Sequence, residues 1–178
     1  MSIDNKYSTY HVVENIDGKD YMSIFFELMG KNRDTVYYAK VSEDKWNIVS
    51  KYKWYLGKKG YPICYELGKI SLHRLIYTLI VGRKIKSNIY VDHIDRDKLN
   101  NCDYNLRLAT PQENSFNKST SNNRKGVKKI SANNYSAFIT KDGIKYEMKQ
   151  LQNEEEAAKM YNILADELFG EYASHNLI

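Results

Sequence analysis

The chain has 178 residues, with 27 Lys or Arg against 22 Asp or Glu, a formal charge of +5, a pI near 9.0 and 42% hydrophobic residues. A mean hydropathy of −0.64 with no long apolar run excludes a membrane span, and the mixed-charge opening MSIDNKYSTYHVVENIDGKD lacks the apolar block of a secretory signal. Two cysteines, Cys64 and Cys102, are too few for a disulfide framework or a zinc ribbon, so the chain reads as an intracellular protein in a reducing setting.

Taken in chain order, YMSIFFELM and TVYYAKV predict a hairpin over 21–41, with its turn in GKNRD. A short helix, EDKWNIVSKY, follows with Ser42 as its N-cap. KWYLGKKGYPICYELGKISL reads as short strands broken by Gly57, Gly60 and Gly68, and His73–Ile80 is apolar on one side and predicts a helix. The segment 89–118 then reads as strand (IYVDHI), polar loop (DRDKLNNCDYN), strand (LRLA) and helix (TPQENSFNK). Thr110 caps that helix, Pro111 suits its first position, and Glu113 completes a T-x-x-E capping box. Ser119–Asn123 is a polar linker. Beyond it, KGVKKIS and YSAFITKDGIKYEMKQL predict three strands, with a hairpin turn at Lys141-Asp142-Gly143. The last element is an amphipathic helix capped by Asn153 and Glu156 and stopped at Gly170. The expected fold class is α+β: a small N-terminal α+β region (1–70), a strand–strand–helix core (71–118), the linker (119–123) and a three-stranded antiparallel sheet packed on one helix (124–178).

The charge is unevenly placed. Residues 37–90 carry +8 and 118–149 carry +6, whereas 91–117 carry −2 and 150–178 carry −5. Two basic blocks around a short acidic one suit a metal-dependent enzyme acting on a polyanion, although solvated lysine faces give the same pattern. Sixteen Tyr could stack on bases, but most read as strand residues whose hydroxyls stay wet.

The chemistry concentrates in Asp92-His93, Asn105, Asn114 and Asn117. If strand, loop, strand and helix fold back on themselves, Asp92 and Asn114 present two hard oxygen ligands suited to Mg2+ or Mn2+. His93, alternating to the other face of its strand, sits beside such a metal as a general base for water attacking phosphorus. Asp95, Asp97 and Asn101 hint at a calcium loop, but the turn glycine is missing and Leu106 stands where the closing Glu belongs. Asp95 and Asp97 read instead as residues bonding their own loop, and His11 and His175 as surface or packing histidines.

The run HRLIYTLIVGRKIKSNIYVDHIDRDKLNNCDYNLRLATPQENSFNK resembles the HNH endonucleases of the phage and intron-homing type. The shared elements are L-H-R-L, V-D-H-I-D-x-D-x-L-N-N, N-L-R and T-x-x-E-N-x-x-N, in order and spacing. The resemblance implies a ββα-metal core with Asp92 and Asn114 as metal ligands, His93 as general base, and Asn105 tying the loop and orienting His93. Asn114 stands where the motif's name has His. Arg74, in the L-H-R-L element, is an implied DNA contact, and Arg107 is either structural or a contact to phosphate.

Residues 124–176 are similar to the Apetala (ethylene-response-factor) DNA-binding domain, through K-G-V, Y-S-A-F-I, the D-G turn, E-E-E-A-A-K-M-Y-N and F-G-E-Y-A-S-H-N. Tyr135 stands where that family has Trp. Candidate DNA contacts here are Arg124, Lys125, Lys128, Lys129, Tyr135, Lys145 and Lys149. The expectation is a viral or phage homing-type DNA endonuclease using Mg2+ or Mn2+, acting on double-stranded DNA as a monomer without a small-molecule cofactor. The alternatives are a non-catalytic DNA-binding transcription regulator with a degenerate nuclease core, and a nuclease acting on RNA or structured DNA.

Overall fold

No element is expected before Tyr21, yet Thr9–Ile16 is a strand, β1, paired antiparallel with β2 (Lys19–Glu27). The joining residues Asp17 and Gly18 have φ of 51° and 77°, the left-handed pair that lets a two-residue turn follow the twist of its strands. On its other edge β2 pairs antiparallel with β3 (Tyr38–Ser42), as the hairpin reading of 21–41 expects. The GKNRD turn lies outside the described residues, which in this computed structural model are 7–29, 35–116 and 124–178.

Helix α1 (Glu43–Val49) ends earlier than expected, and Ser42 does not cap it through its side chain. Ser42 Oγ instead accepts a 2.9 Å bond from the Asp103 amide. The fully buried Trp54 donates Nε1 to the Val49 carbonyl at 2.9 Å, which fixes the chain leaving the helix. Strands β4 (Tyr55–Leu56), β5 (Pro62–Cys64) and β6 (Ile70–Ser71) form a small antiparallel sheet, and α2 (Leu72–Val81) buries Leu72, His73 and Ile76.

Strand β7 (Tyr90–His93) leads into the polar loop, which is more ordered than its composition suggests. Asn100–Asn101 forms β8, a parallel edge strand on β3, and Asp103–Asn105 is a 3-10 turn. The loop's buried backbone groups need partners, and the free edge of β3 provides them: Lys40 N–H donates to the Leu99 carbonyl at 2.8 Å. Strand β9 (Leu106–Ala109) pairs antiparallel with β7, which sets Asp92 opposite Arg107 and His93 opposite Leu106. Phe26, Val41, Trp54, Leu72, Ile76, Val91 and Leu106 belong to one core beneath these sheets.

The chain divides between Ala109 and Thr110 into two compact units. The second begins with α3 (Pro111–Phe116), where Glu113 N–H donates to Thr110 Oγ1 at 3.2 Å and Thr110 N–H to Glu113 Oε2 at 2.7 Å, a closed capping box. The sheet β10 (Val127–Ser131), β11 (Asn134–Lys141) and β12 (Ile144–Leu151) is antiparallel in that order. It packs on α4 (Glu154–Phe169) through Ala137, Ile139, Leu151, Ala157, Tyr161 and Ala165. Asn153 Oδ1 accepts from Glu156 N–H at 2.8 Å, while the Glu156 carboxylate reaches the Gln152 amide at 2.7 Å. The expected linker 119–123 and Asn117 lie outside the described residues. Among the described residues no helix is long and apolar enough to cross a membrane.

Candidate active site

Strand alternation sends Asp92 and His93 to opposite faces of β7, and both are buried. Asp92 faces its cross-strand partner: Arg107 Nε and Nη2 lie 3.2 and 3.1 Å from Asp92 Oδ2, an ion pair with both side chains about nine-tenths buried. Arg107, expected to be structural or to touch phosphate, directs its guanidinium to the carboxylate expected to hold a metal.

His93 lies among aromatic rings on the other face. Its centroid is 5.0 Å from His73 in an edge-on arrangement and 5.9 Å from Tyr61, and Tyr61 lies 4.9 Å from His73. Its Nε2 is 3.4 Å from Asn101 Oδ1. The Asn101 amide is oriented by two carbonyls, since Nδ2 donates to Leu99 O at 2.8 Å and Lys98 O at 3.4 Å. The amide oxygen must then face the imidazole, so Nε2 carries the proton and Nδ1 is the basic nitrogen. Burial holds His93 below the ordinary histidine value, partly offset by Asn101 and by the carboxylates Asp95, Asp92 and Asp97. A neutral imidazole in a defined tautomer is the state that accepts a proton. Burial, with His93 and Arg74 nearby, pushes His73 down to about 3, so it is neutral.

Asn105 is buried in the loop's centre. Its Oδ1 accepts from the Asp95 amide at 3.0 Å, and Nδ2 donates to Asp95 Oδ1 and Asn100 O, both at 2.8 Å. Asp95 also binds the Asp97 amide and Asn100 Nδ2, and Asp97 Oδ1 accepts from the Leu99 amide at 2.9 Å. Both aspartates thus hold their own loop. Asn114 lies in the second unit, on α3, where its amide donates to Thr110 O at 3.0 Å. Among the described residues no three His, Cys, Asp or Glu side chains cluster as a metal cage.

Arg74 directs its guanidinium to the carbonyls of Ile89, Ile85 and Lys86 at 2.8, 3.0 and 3.0 Å, and so ties the segment before β7 to α2. The register of the second unit sorts its candidates by face. Lys128 stands opposite Ser136, Lys145 opposite Thr140 and Phe138 opposite Glu147, so these residues share the sheet face away from the core strand positions Ala137 and Ile139. Glu147 pairs with Lys145 at 3.0 Å and with Lys149 at 3.5 Å, and Lys145 Nζ lies 4.8 Å over the Phe138 ring. Lys129 and Tyr135 share the other face, with Lys129 Nζ 5.8 Å over a tyrosine ring that packs against the α4 core. The Lys125 backbone is held on both sides by Asn176, and Arg124 is half-buried. His11 and His175 are exposed beside Glu43 and Asp166.

Sequence reasoning leaves Asn101, His73 and Tyr61 without a role at the site. Only the paired Asn of L-N-N and the H of L-H-R-L stand as signals, and neither reveals a partner far off in the chain.

The HNH endonuclease family profile matches residues 71–116. The chain is 63% identical over 155 residues, 87% of its length and 82% of the relative's, to "Uncharacterized HNH endonuclease L560" of Acanthamoeba polyphaga mimivirus. It is 34% identical over 94 residues, 50% of its length and 77% of the relative's, to "Protein 3.8" of Escherichia phage T7. No solved structure matches it.

Proposed function

We propose, from the premise that this chain belongs to the HNH endonuclease family, that it is a homing-type endonuclease of double-stranded DNA using one divalent cation, Mg2+ or Mn2+, with His93 as general base. The observation that carries this reading is the buried Asp92-His93 pair, with one side chain held by Arg107 and the other by Asn101. The metal ligands in this reading are Asp92 and Asn114. The donor set fits: a carboxylate and an amide oxygen are hard ligands, and so few protein ligands suit a cation that keeps several waters. Arg107 acts as an outer partner that aims the carboxylate. A cation held by Asp92 and Asn114 would supply neutralisation of the charge on the scissile phosphate and on the departing 3′ oxygen.

The rest is the work of side chains. His93 Nδ1 takes the proton from a water attacking phosphorus, and Asn101 keeps Nε2 protonated throughout. Asn105 holds the loop that carries Asn101 and so keeps the imidazole in line. The products are 5′-phosphate and 3′-hydroxyl ends. Residues 71–118 form the nuclease core, preceded by 1–70 and followed by the linker 119–123. Residues 124–178 are an Apetala-like DNA-binding domain in this reading, with Lys128, Lys145 and Lys149 toward DNA and Tyr135 and Lys129 supporting the sheet from behind. The chain acts inside the cell, as a monomer.

His93→Ala should abolish nicking of supercoiled plasmid while leaving DNA binding intact, and normal cutting by this variant would remove His93 as the base. Chelation should stop cleavage. Mg2+ or Mn2+ should raise the thermal midpoint of the wild type but not of Asp92→Asn; an equal rise in both would rule out Asp92 as a ligand.

A further inference from the structure

The turn between β4 and β5, Gly57-Lys58-Lys59-Gly60-Tyr61, enters the site described above only through Tyr61, and its tip has no part in it. The turn closes on itself through Gly57 N–H to Tyr61 O at 2.9 Å and Gly60 N–H to Gly57 O at 2.8 Å. Lys98, from the loop between β7 and β9, reaches across to it. Its Nζ donates to the Lys59 carbonyl at 2.9 Å and lies 5.0 Å over the Tyr61 ring, and its Cδ runs within 3.5 Å of where a Gly60 side chain would begin. Tyr61 in turn sits against both His73 and His93. A turn far away in sequence is thereby held to the loop and to the base by a cation, a hydrogen bond and an aromatic contact.

At its tip the turn carries Lys58 and Lys59, both exposed, and among the described residues neither has a carboxylate within ion-pair distance. An anchored turn that presents two unpaired ammonium groups beside a phosphodiester-cleaving base has a natural occupant. We infer that Lys58 and Lys59 form a phosphate-binding subsite that grips the backbone of duplex DNA next to the scissile phosphate, with Tyr61 and Lys98 as the fasteners that set its position. Tyr61 contacts the His93 ring, and the two or three residues of chain back to Lys59 and Lys58 span at most about 7 and 11 Å. The amines therefore fall on phosphates a few nucleotides from the cleaved bond, because each strand presents about one charge per 3.4 Å of helix axis. Backbone contacts of this kind set register and carry no sequence information, so the subsite acts on any duplex.

This inference rests on the nuclease reading, and its test separates the two. Binding of full-length protein to a fluorescent duplex oligonucleotide is measured in the presence of chelator across a salt series, where no cleavage occurs. K58A/K59A should weaken binding about tenfold at 0.1 M salt and reduce the slope of log affinity against log salt by about 2, since each lost phosphate contact removes close to one unit. K58R/K59R should restore the wild-type slope, and the thermal midpoint of all three proteins should agree. An unchanged slope in K58A/K59A, or an equal loss in the arginine variant, overturns the subsite. Failure of the nuclease reading appears elsewhere, as wild-type protein that does not nick plasmid with Mg2+ or Mn2+, and leaves the binding series interpretable.

Discussion

Three buried groups near the Asp92-His93 pair make different demands on pH, polarity and charge. His73 has its folded value pushed down to about 3, while the unfolded chain titrates near the ordinary 6.5. The unfolded state therefore takes up the proton first. The neutral imidazole's contribution is whole above that range and is lost as pH falls toward the folded value. At about pH 5 the loss relative to neutral pH is about 2 kcal/mol, and His73→Asn should flatten the urea-derived stability profile between pH 7 and 5 by that amount. A profile parallel to wild type would show that His73 is not buried neutral. Asn101 acts through polarity instead. Asn101→Leu removes the acceptor at His93 Nε2 and frees the tautomer, so kcat should fall by roughly 10- to 100-fold with KM for DNA little changed. A rise in KM alone would place Asn101 in binding rather than in orientation. Arg107 is the third case: replacing it with Met leaves Asp92 buried without its ion-pair partner and should cost about 3–5 kcal/mol in urea unfolding. Adding Asp92→Asn should recover most of that, and a fully additive double variant would deny the coupling.

Among the elements, those with local signals are legible in the sequence and those made by pairing at a distance are not. The capping boxes of α3 and α4, the amphipathic stripe of α4 and the Lys141-Asp142-Gly143 turn are written in neighbouring residues. The Asp17-Gly18 turn is also local, and the alternation of TYHVVENI after it is identified would have given β1; the mixed charge of the first twenty residues hides a half-exposed edge strand. Strand β8 has no such signal, because two asparagines become a strand only when β3 offers them an edge. The same holds at the site. Asp92, His93 and Asn105 stand in a motif, but Asn101, His73 and Tyr61 acquire their roles from elements that meet only in the fold. Gly126 shows the limit of local reading in the second unit. Its φ of 64° is paired with a Cβ position 2.3 Å from the Phe138 carbonyl oxygen and 2.2 Å from the Tyr161 ring. Gly126→Ala should lower stability by about 3–5 kcal/mol, combining left-handed strain with overpacking. Gly18→Ala, with a similar φ and open space, should cost only about 1–2 kcal/mol. Equal losses in urea midpoints would contradict the packing argument.

Over the whole molecule, the net charge of +5 conceals a division of labour between pairs that are internal and charges that face outward. The acidic dip at 91–117 is only partly matched by cations: Asp92 pairs with Arg107, whereas Asp95 and Asp97 keep their charge at the surface while bonding their own loop. In the first unit Glu14 is absorbed, by Lys40 at 2.8 Å and Tyr104 at 2.8 Å. In the second unit the acidic residues Glu154, Glu155, Asp166 and Glu167 lie exposed on α4, while Lys128, Lys145 and Lys149 stand on sheet positions that alternate away from the core. If Lys58, Lys59, Lys128, Lys145 and Lys149 each neutralise one phosphate, log affinity for duplex DNA should fall against log salt with a slope of roughly −4 to −5. Lys145→Glu with Lys149→Glu should reverse two of those contacts and reduce the slope by about 2, without altering cleavage chemistry at saturating DNA. Because Glu147 already binds both lysines, part of their charge is screened in the free protein, and a DNA partner would have to draw them from that carboxylate. Glu147→Gln should therefore tighten binding, and a variant that binds more weakly would show that the carboxylate positions the lysines rather than competing for them.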